Sequence, residues 1–170
     1  FHYSSSSPIF ESYRILRTNI QTEVFKEKIK GKILLFTSAG PEEGKSITIS
    51  NLAITFAQGG LHTLLIDADV RRAVIHKIFG LEKEGTGLCD ILRGTNKPEE
   101  SIQEFADIVV GELGVDETIK IPALDNLNIL TSGSYPMMPA ELLSSEEMTT
   151  LLEKLRDKYD LILVDSPPVL

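Results

Sequence analysis

The chain has 170 residues, 42% apolar and 25% charged, a balance that predicts one soluble globular domain and leaves no room for two. Its 17 Lys and Arg against 25 Asp and Glu give a net charge of −8, which excludes broad electrostatic attraction to nucleic acid or anionic lipid, so any phosphate site must be local. Cys89 is the single cysteine, so no intrachain disulfide forms, and the longest apolar runs, at residues 33–36 and 161–164, fall far short of the roughly 18 residues of a membrane span.

Residues 1–8 read as a flexible linker: four serines follow Phe1, His2 and Tyr3, Pro8 closes the run, and neither an initiator Met nor an apolar signal core is present. The chain therefore reads as a fragment of a longer protein. From Ile9, apolar Phe10, Tyr13, Leu16 and Ile20 recur at three- and four-residue steps and predict a helix over 9–27. Gly31 breaks it, and Ile33 to Thr37 predicts a strand buried on both faces. A helix over 46–58 follows, closed by Gly59 and Gly60. Further buried strands at 63–66, 127–130 and 161–164, with helical patterns between them, predict a parallel sheet. Shorter helical pieces fall around 88–92 and 99–105, and 107–122 reads as an irregular excursion. Met137 and Met138 lie between Pro136 and Pro139 and read as a packed turn. Ser144 followed by Glu147 reads as a capping box that opens a helix over 145–157, with Met148, Leu151, Leu152 and Leu155 on one face.

The sharpest motif is Ser38-Ala39-Gly40-Pro41-Glu42-Glu43-Gly44-Lys45-Ser46, set where a strand gives way to a helix. There, backbone N–H groups and the positive end of the helix cradle nucleotide phosphates, so Ala39 through Ile47 are the expected nucleotide-binding residues. Lys45 adds a full positive charge, and Ser46 offers a hydroxyl oxygen to Mg²⁺. Ala39 stands where the motif usually has Gly. Asp67 and Asp69, two residues apart at a strand's end, share a face. Asp165 ends another strand alone, in the form of a Walker-B metal residue. Any one of these carboxylates would more often be a turn residue or helix cap; together, after buried strands and downstream of a phosphate loop, they point to metal or catalytic roles. Glu11, Arg14 and Arg17 follow three-residue steps on the first helix and form one charged stripe, which on its own reads as a solvated face.

Taken together, the phosphate loop, the Asp67-x-Asp69-x-Arg71 segment, Asp165-Ser166-Pro167-Pro168 and the Glu11, Arg14, Arg17 spacing resemble the bacterial tyrosine autokinases of capsule and exopolysaccharide synthesis. The likeness covers nearly the whole chain, through Phe79-Gly80-Leu81 and Pro139-Ala140-Glu141-Leu142-Leu143. It implies an α/β fold, a P-loop NTPase-like parallel sheet flanked by helices and truncated at its C-terminus, with the kinase domain over 9–170. It implies transfer of the γ-phosphate of ATP to tyrosine, with Mg²⁺ held by Ser46, Asp69 and Asp165. Lys45 and Asp67 are implied as catalytic, Asp67 as acceptor of the phenolic proton, although which aspartate is base and which is ligand stays open. Glu11, Arg14 and Arg17 are implied to join copies of the domain in a ring. A membrane activator domain and a cytoplasmic place beside the inner membrane are implied as well; nucleic acid is not. Glu42 occupies a position that is commonly Gly in that family, so a positive φ there would cost strain and set a negative charge near the phosphates. Two rival readings are an ATPase switch of the chromosome-partition and division-site type and an assembly module that binds nucleotide without catalysis. The first carries a second lysine early in the loop, where this chain has Gly40.

Overall fold

The computed structural model describes residues 8–26, 31–81, 85–108 and 124–169; the expected linker up to residue 7 and residues 109–122 of the expected excursion lie outside them. Five strands form one sheet: β1 (Lys32–Phe36), β2 (Thr63–Asp67), β3 (Gln103–Glu104), β4 (Leu127–Leu130) and β5 (Leu161–Asp165), in the order β1-β5-β2-β4-β3. β1, β5, β2 and β4 run parallel, with Leu35 beside Val164, Ile66 beside Val164 and Leu65 beside Ile129. The helices with both ends among the described residues are α1 (Pro8–Val24), α2 (Lys45–Gln58), α3 (Ile75–Ile78), α4 (Leu88–Leu92), α5 (Pro98–Ser101), α6 (Pro139–Leu143) and α7 (Glu146–Arg156).

β2, β4 and β5 are buried along their whole length because helices cover both faces, whereas β1, expected to be buried on both faces, has no fully buried residue and leaves Leu35 66% exposed, since it lies at the rim of the sheet. Leu65, Leu127, Ile129, Leu161 and Leu163 pack with Ile49, Leu52, Ala53 and Phe56 of α2. The alternate residues Leu64, Ile66, Leu130, Ile162 and Val164 meet Leu88 and Leu92 of α4 and Met148, Leu151 and Leu155 of α7. α1 buries none of its residues fully and rests on the first of these cores through Tyr13, Ile20 and the following Phe25. Cys89 is a wholly buried core residue, as its size predicts.

Three local expectations need correction. Residues 99–105 are not one helical piece: α5 stops at Ser101, Ile102 is extended at φ −81° and ψ 127°, and β3 pairs antiparallel with β4, Gln103 opposite Ile129. Two residues are too few to show a period, so the strand leaves no trace in the pattern. The cap of α7 is Ser145, whose hydroxyl accepts the Met148 N–H at 3.4 Å; Ser144 is engaged in closing α6, donating to the Ala140 carbonyl at 2.8 Å. Met137 and Met138 are 96% and 60% exposed, because Pro136 is the turn residue that turns inward.

Candidate functional site

Parallel strands carry their C-terminal ends to one edge of the sheet, and in open α/β sheets ligands bind there. At that edge β1 passes through residues 37–44 into α2. The turn is tightened by the Ser38 hydroxyl, which donates to the Gly40 carbonyl at 2.8 Å, and Gly44 caps α2 at φ 81°, a left-handed backbone suited to glycine. Glu42 has φ 63°, the single positive value for a non-glycine residue among the described residues. The strain anticipated for a side chain at that position is therefore present. Pro41 to Gly44 are exposed, and α2 opens with Lys45.

The three aspartates come to the same edge from two neighbouring strands. Asp67 and Asp165 are register partners across β2 and β5. Lys45 swings back over the sheet and its ammonium pairs with Asp165 Oδ1; the two side chains are 9% and 0% exposed. Asp67 Oδ2 accepts the backbone N–H groups of Val74 at 3.2 Å and Ile75 at 3.0 Å, so it ties the end of β2 to the start of α3. Burial, helped by the charges of Asp165 and Asp69, pushes the Asp67 carboxyl up to about 7 against the pull of those two amides. Asp69 is 7% exposed and accepts the Arg72 N–H at 3.1 Å, closing its own turn.

A cleft of about 440 Å³ runs between the phosphate loop and the segment after β2, with Glu42, Lys45 and Ser46 on one wall and Asp69, Arg72 and Val74 on the other. Behind the cleft, and not among the residues that line it, Asp67 Oδ1 and Asp165 Oδ2 are buried oxygens without a hydrogen-bond partner, the kind of oxygen a cation takes. Among the described residues, however, no three Asp, Glu, His or Cys side chains converge as a metal cage. Asp69 and Asp165, expected to hold Mg²⁺ with Ser46, are each engaged within the protein, Asp69 by its turn and Asp165 by Lys45, while Asp67, the expected base, is engaged by α3. A hard, strongly hydrated ion that keeps waters and takes phosphate oxygens needs fewer protein ligands than that.

The stripe on α1 divides. Glu11 and Arg14 lie outside, 3.7 Å apart, with the Arg14 guanidinium 5.1 Å over the Phe10 ring. Arg17 turns inward and donates to the Thr55 carbonyl at 2.7 Å, near the C-terminal end of α2. Helical spacing alone shows which residues share a face, not where a long side chain reaches. Val74 carries no sequence signal for a cleft residue; the bond from its N–H to Asp67 brings it there.

A phosphate loop between a parallel strand and a helix, with acidic strand ends beside it, defines a P-loop fold of the nucleotide-binding class. A family model described as an AAA domain matches residues 32–170, and the chain belongs to that family. It is 34% identical over 168 residues to the putative tyrosine-protein kinase CapB of Staphylococcus aureus, covering 99% of this chain and 65% of that protein. It is 36% identical over 160 residues to the tyrosine-protein kinase etk of Escherichia coli (strain K12), covering 94% of this chain and 19% of etk. The solved kinase domain of Escherichia coli tyrosine kinase ETK superposes with a TM-score of 0.81 at 31% identity, over 98% of this chain and 57% of that one. The septum site-determining protein MinD of Pyrococcus horikoshii OT3, at 23% identity and a TM-score of 0.61, shares the fold alone. The resemblance to bacterial tyrosine kinases is borne out over the division-site alternative, while the chain spans less than two thirds of those kinases' own length. No described helix is long and apolar enough to cross a membrane.

Proposed function

We propose that these residues form the catalytic domain of an ATP-dependent protein-tyrosine autokinase acting in capsule or exopolysaccharide synthesis. The observation that carries the reading is Lys45 of the phosphate loop lying on Asp165, with the buried, unsaturated carboxyl of Asp67 next to it. Ala39 to Ile47 would bind the nucleotide: the loop's N–H groups and the head of α2 hold the β- and γ-phosphates, and Lys45 follows the charge that develops during transfer. Ser46, Asp69 and Asp165 would hold Mg²⁺, which supplies neutralisation of the triphosphate charge. Asp67 would accept the phenolic proton. A carboxyl held near 7 is a far better match to a phenol of pKa about 10 than an ordinary one, and its free Oδ1 leaves an oxygen for that proton.

Self-association through Glu11, Arg14 and Arg17, acceptor tyrosines in a second copy, a membrane activator domain and a cytoplasmic place at the inner membrane complete the proposal. Arg17 would serve such an interface while anchored to α2. The test is incubation of the full-length protein with Mg-ATP and detection of phosphotyrosine, beside Lys45→Met and Asp67→Asn. A signal in the parent that both variants lose supports the reading. ATP hydrolysis without phosphotyrosine would point to a switch ATPase, and neither activity to an assembly module.

A further inference from the structure

We propose that the cleft seats the acceptor through an apolar wall and a basic rim beside it: the wall takes the ring of a tyrosine, and the rim selects a tyrosine flanked by acidic residues. The inference rests on the tyrosine-kinase reading above and names the chemistry of its acceptor. A triphosphate and its cation present only charge and oxygen, yet the side chains of Ile47, Val74, Ile78 and Pro168 line the same cleft as Lys45 and Ser46. Ile47, in the first turn of α2, is 57% exposed. Val74 and Ile78 stand one helical turn apart, joined by the Ile78 N–H to the Val74 carbonyl at 3.1 Å, so they present one apolar face of α3 to the cleft. That face stands at the reacting end, because the Val74 N–H is held by Asp67, whose register partner Asp165 carries the Lys45 ammonium. The terminal phosphate belongs there, and the base lies at the other end of a nucleotide, so the ring that meets Val74 is the acceptor's. A phenol suits the place, since its body packs on hydrocarbon while its hydroxyl stays polar.

Charge narrows the acceptor further. In a chain of net charge −8, the stretch from Arg71 to Lys77 carries the cations Arg71, Arg72 and Lys77 and no carboxylate. All three are exposed, Arg72 on the cleft wall itself, and none makes an ion pair among the described residues. Such a cluster draws in an acidic segment and turns away a basic one. Glu42, Glu43 and Asp69 line the cleft itself, so the acidic neighbours rest on the rim and the neutral ring alone enters.

The experiment gives the full-length protein two peptides, one with a tyrosine between glutamates and one with it between lysines. Each is also made with phenylalanine in place of tyrosine and a fluorescent label, so that anisotropy in Mg-ADP reads binding without transfer. The parent should favour the acidic tyrosine peptide at least about tenfold in kcat/KM, mainly through KM, and bind the acidic phenylalanine peptide more tightly than the basic one. Val74→Ser should raise KM for the acidic peptide about five- to tenfold, and Val74→Ile should keep it near the parent's. Arg71→Glu with Lys77→Glu should erase or reverse the preference and leave the calorimetric affinity for Mg-ADP unchanged. A parent that phosphorylates both peptides equally well overturns the seat and keeps the kinase. One that phosphorylates neither, yet binds the acidic phenylalanine peptide in a way that Val74→Ser weakens, refutes the kinase and keeps the seat. Equal binding of the two phenylalanine peptides, or binding of neither, overturns the seat. So does a Val74→Ser protein that keeps the parent's KM, or one that loses Mg-ADP instead of peptide, since the wall would then hold the base. Should circular dichroism show Val74→Ser unfolded, the exposed Arg71 and Lys77 decide alone.

Discussion

Asp67 and Asp165 face each other as register partners on β2 and β5, both without solvent exposure, and only one of them has an ammonium beside it. Burial first, and then the neighbouring charges of Asp165 and Asp69, set the pH behaviour of Asp67. With its folded value near 7 against an ordinary 3.8, Asp67 holds a proton more tightly in the folded chain than in the unfolded one. Folding therefore takes up a proton between those values, and stability falls as pH rises through the window. Asp67→Asn keeps an oxygen for the Val74 and Ile75 amides and removes the buried charge. It should be more stable than the parent above about pH 7, by at most on the order of 4 kcal/mol, with the advantage gone near pH 4. Urea midpoints across that range measure it; an advantage independent of pH would contradict the assignment.

Glu42 holds a left-handed backbone that costs a side-chain-bearing residue about 1 kcal/mol or more, and its carboxylate borders the cleft. Glu42→Gly removes both handicaps. Its melting temperature should rise and its dissociation constant for Mg-ADP fall. Unchanged affinity alongside a raised melting temperature would show that the charge is fully screened and only the strain matters.

Arg14 and Arg17 share a helical stripe and should behave differently. Arg17→Ala deletes a hydrogen bond from a charged donor to the Thr55 carbonyl and should destabilise the monomer by about 1.5–3 kcal/mol. Arg14→Ala loses an exposed pair with Glu11 and should stay within about 0.5 kcal/mol of the parent. Denaturant unfolding of dilute protein separates fold from assembly; light scattering at higher concentration then shows whether Arg14→Ala shrinks an oligomer. Equal losses of stability would mean that Arg17 is not anchored as described.

Gly87 lies against the backbone of Gly133 and the Thr131 carbonyl so closely that a Cβ there would collide with main-chain atoms. The contact lets Asp90 accept the N–H groups of Gly87 at 3.0 Å and Ser134 at 3.1 Å, pinning α4 to the chain leaving β4. Gly87→Ala should cost about 2–3 kcal/mol, since main-chain neighbours cannot rotate away. A urea midpoint equal to that of the parent would show that the segment relaxes freely.

What can be read from the sequence is what lies close along it. The phosphate loop is contiguous, so Gly40, Gly44, Lys45 and Ser46 announce themselves between a buried strand and a helix, and the strands ending at Asp67 and Asp165 stand out as apolar runs. The partners of those residues do not. Lys45 meets a carboxylate 120 positions away, and Asp67 bonds to amides seven and eight residues ahead across an irregular turn. The inward reach of Arg17 is equally hidden, because its target is a main-chain carbonyl, and every residue type has one. β3 leaves no signal because two residues carry no period, and Ser145 supplants Ser144 because an adjoining helix has already claimed the latter.

β1 is paired on one side only among the described strands, and Leu35 projects from this rim strand 66% exposed. A strand laid along this rim would cover Leu35 and take up the open ladder, so the rim is a docking line for a further strand, whichever chain supplies it.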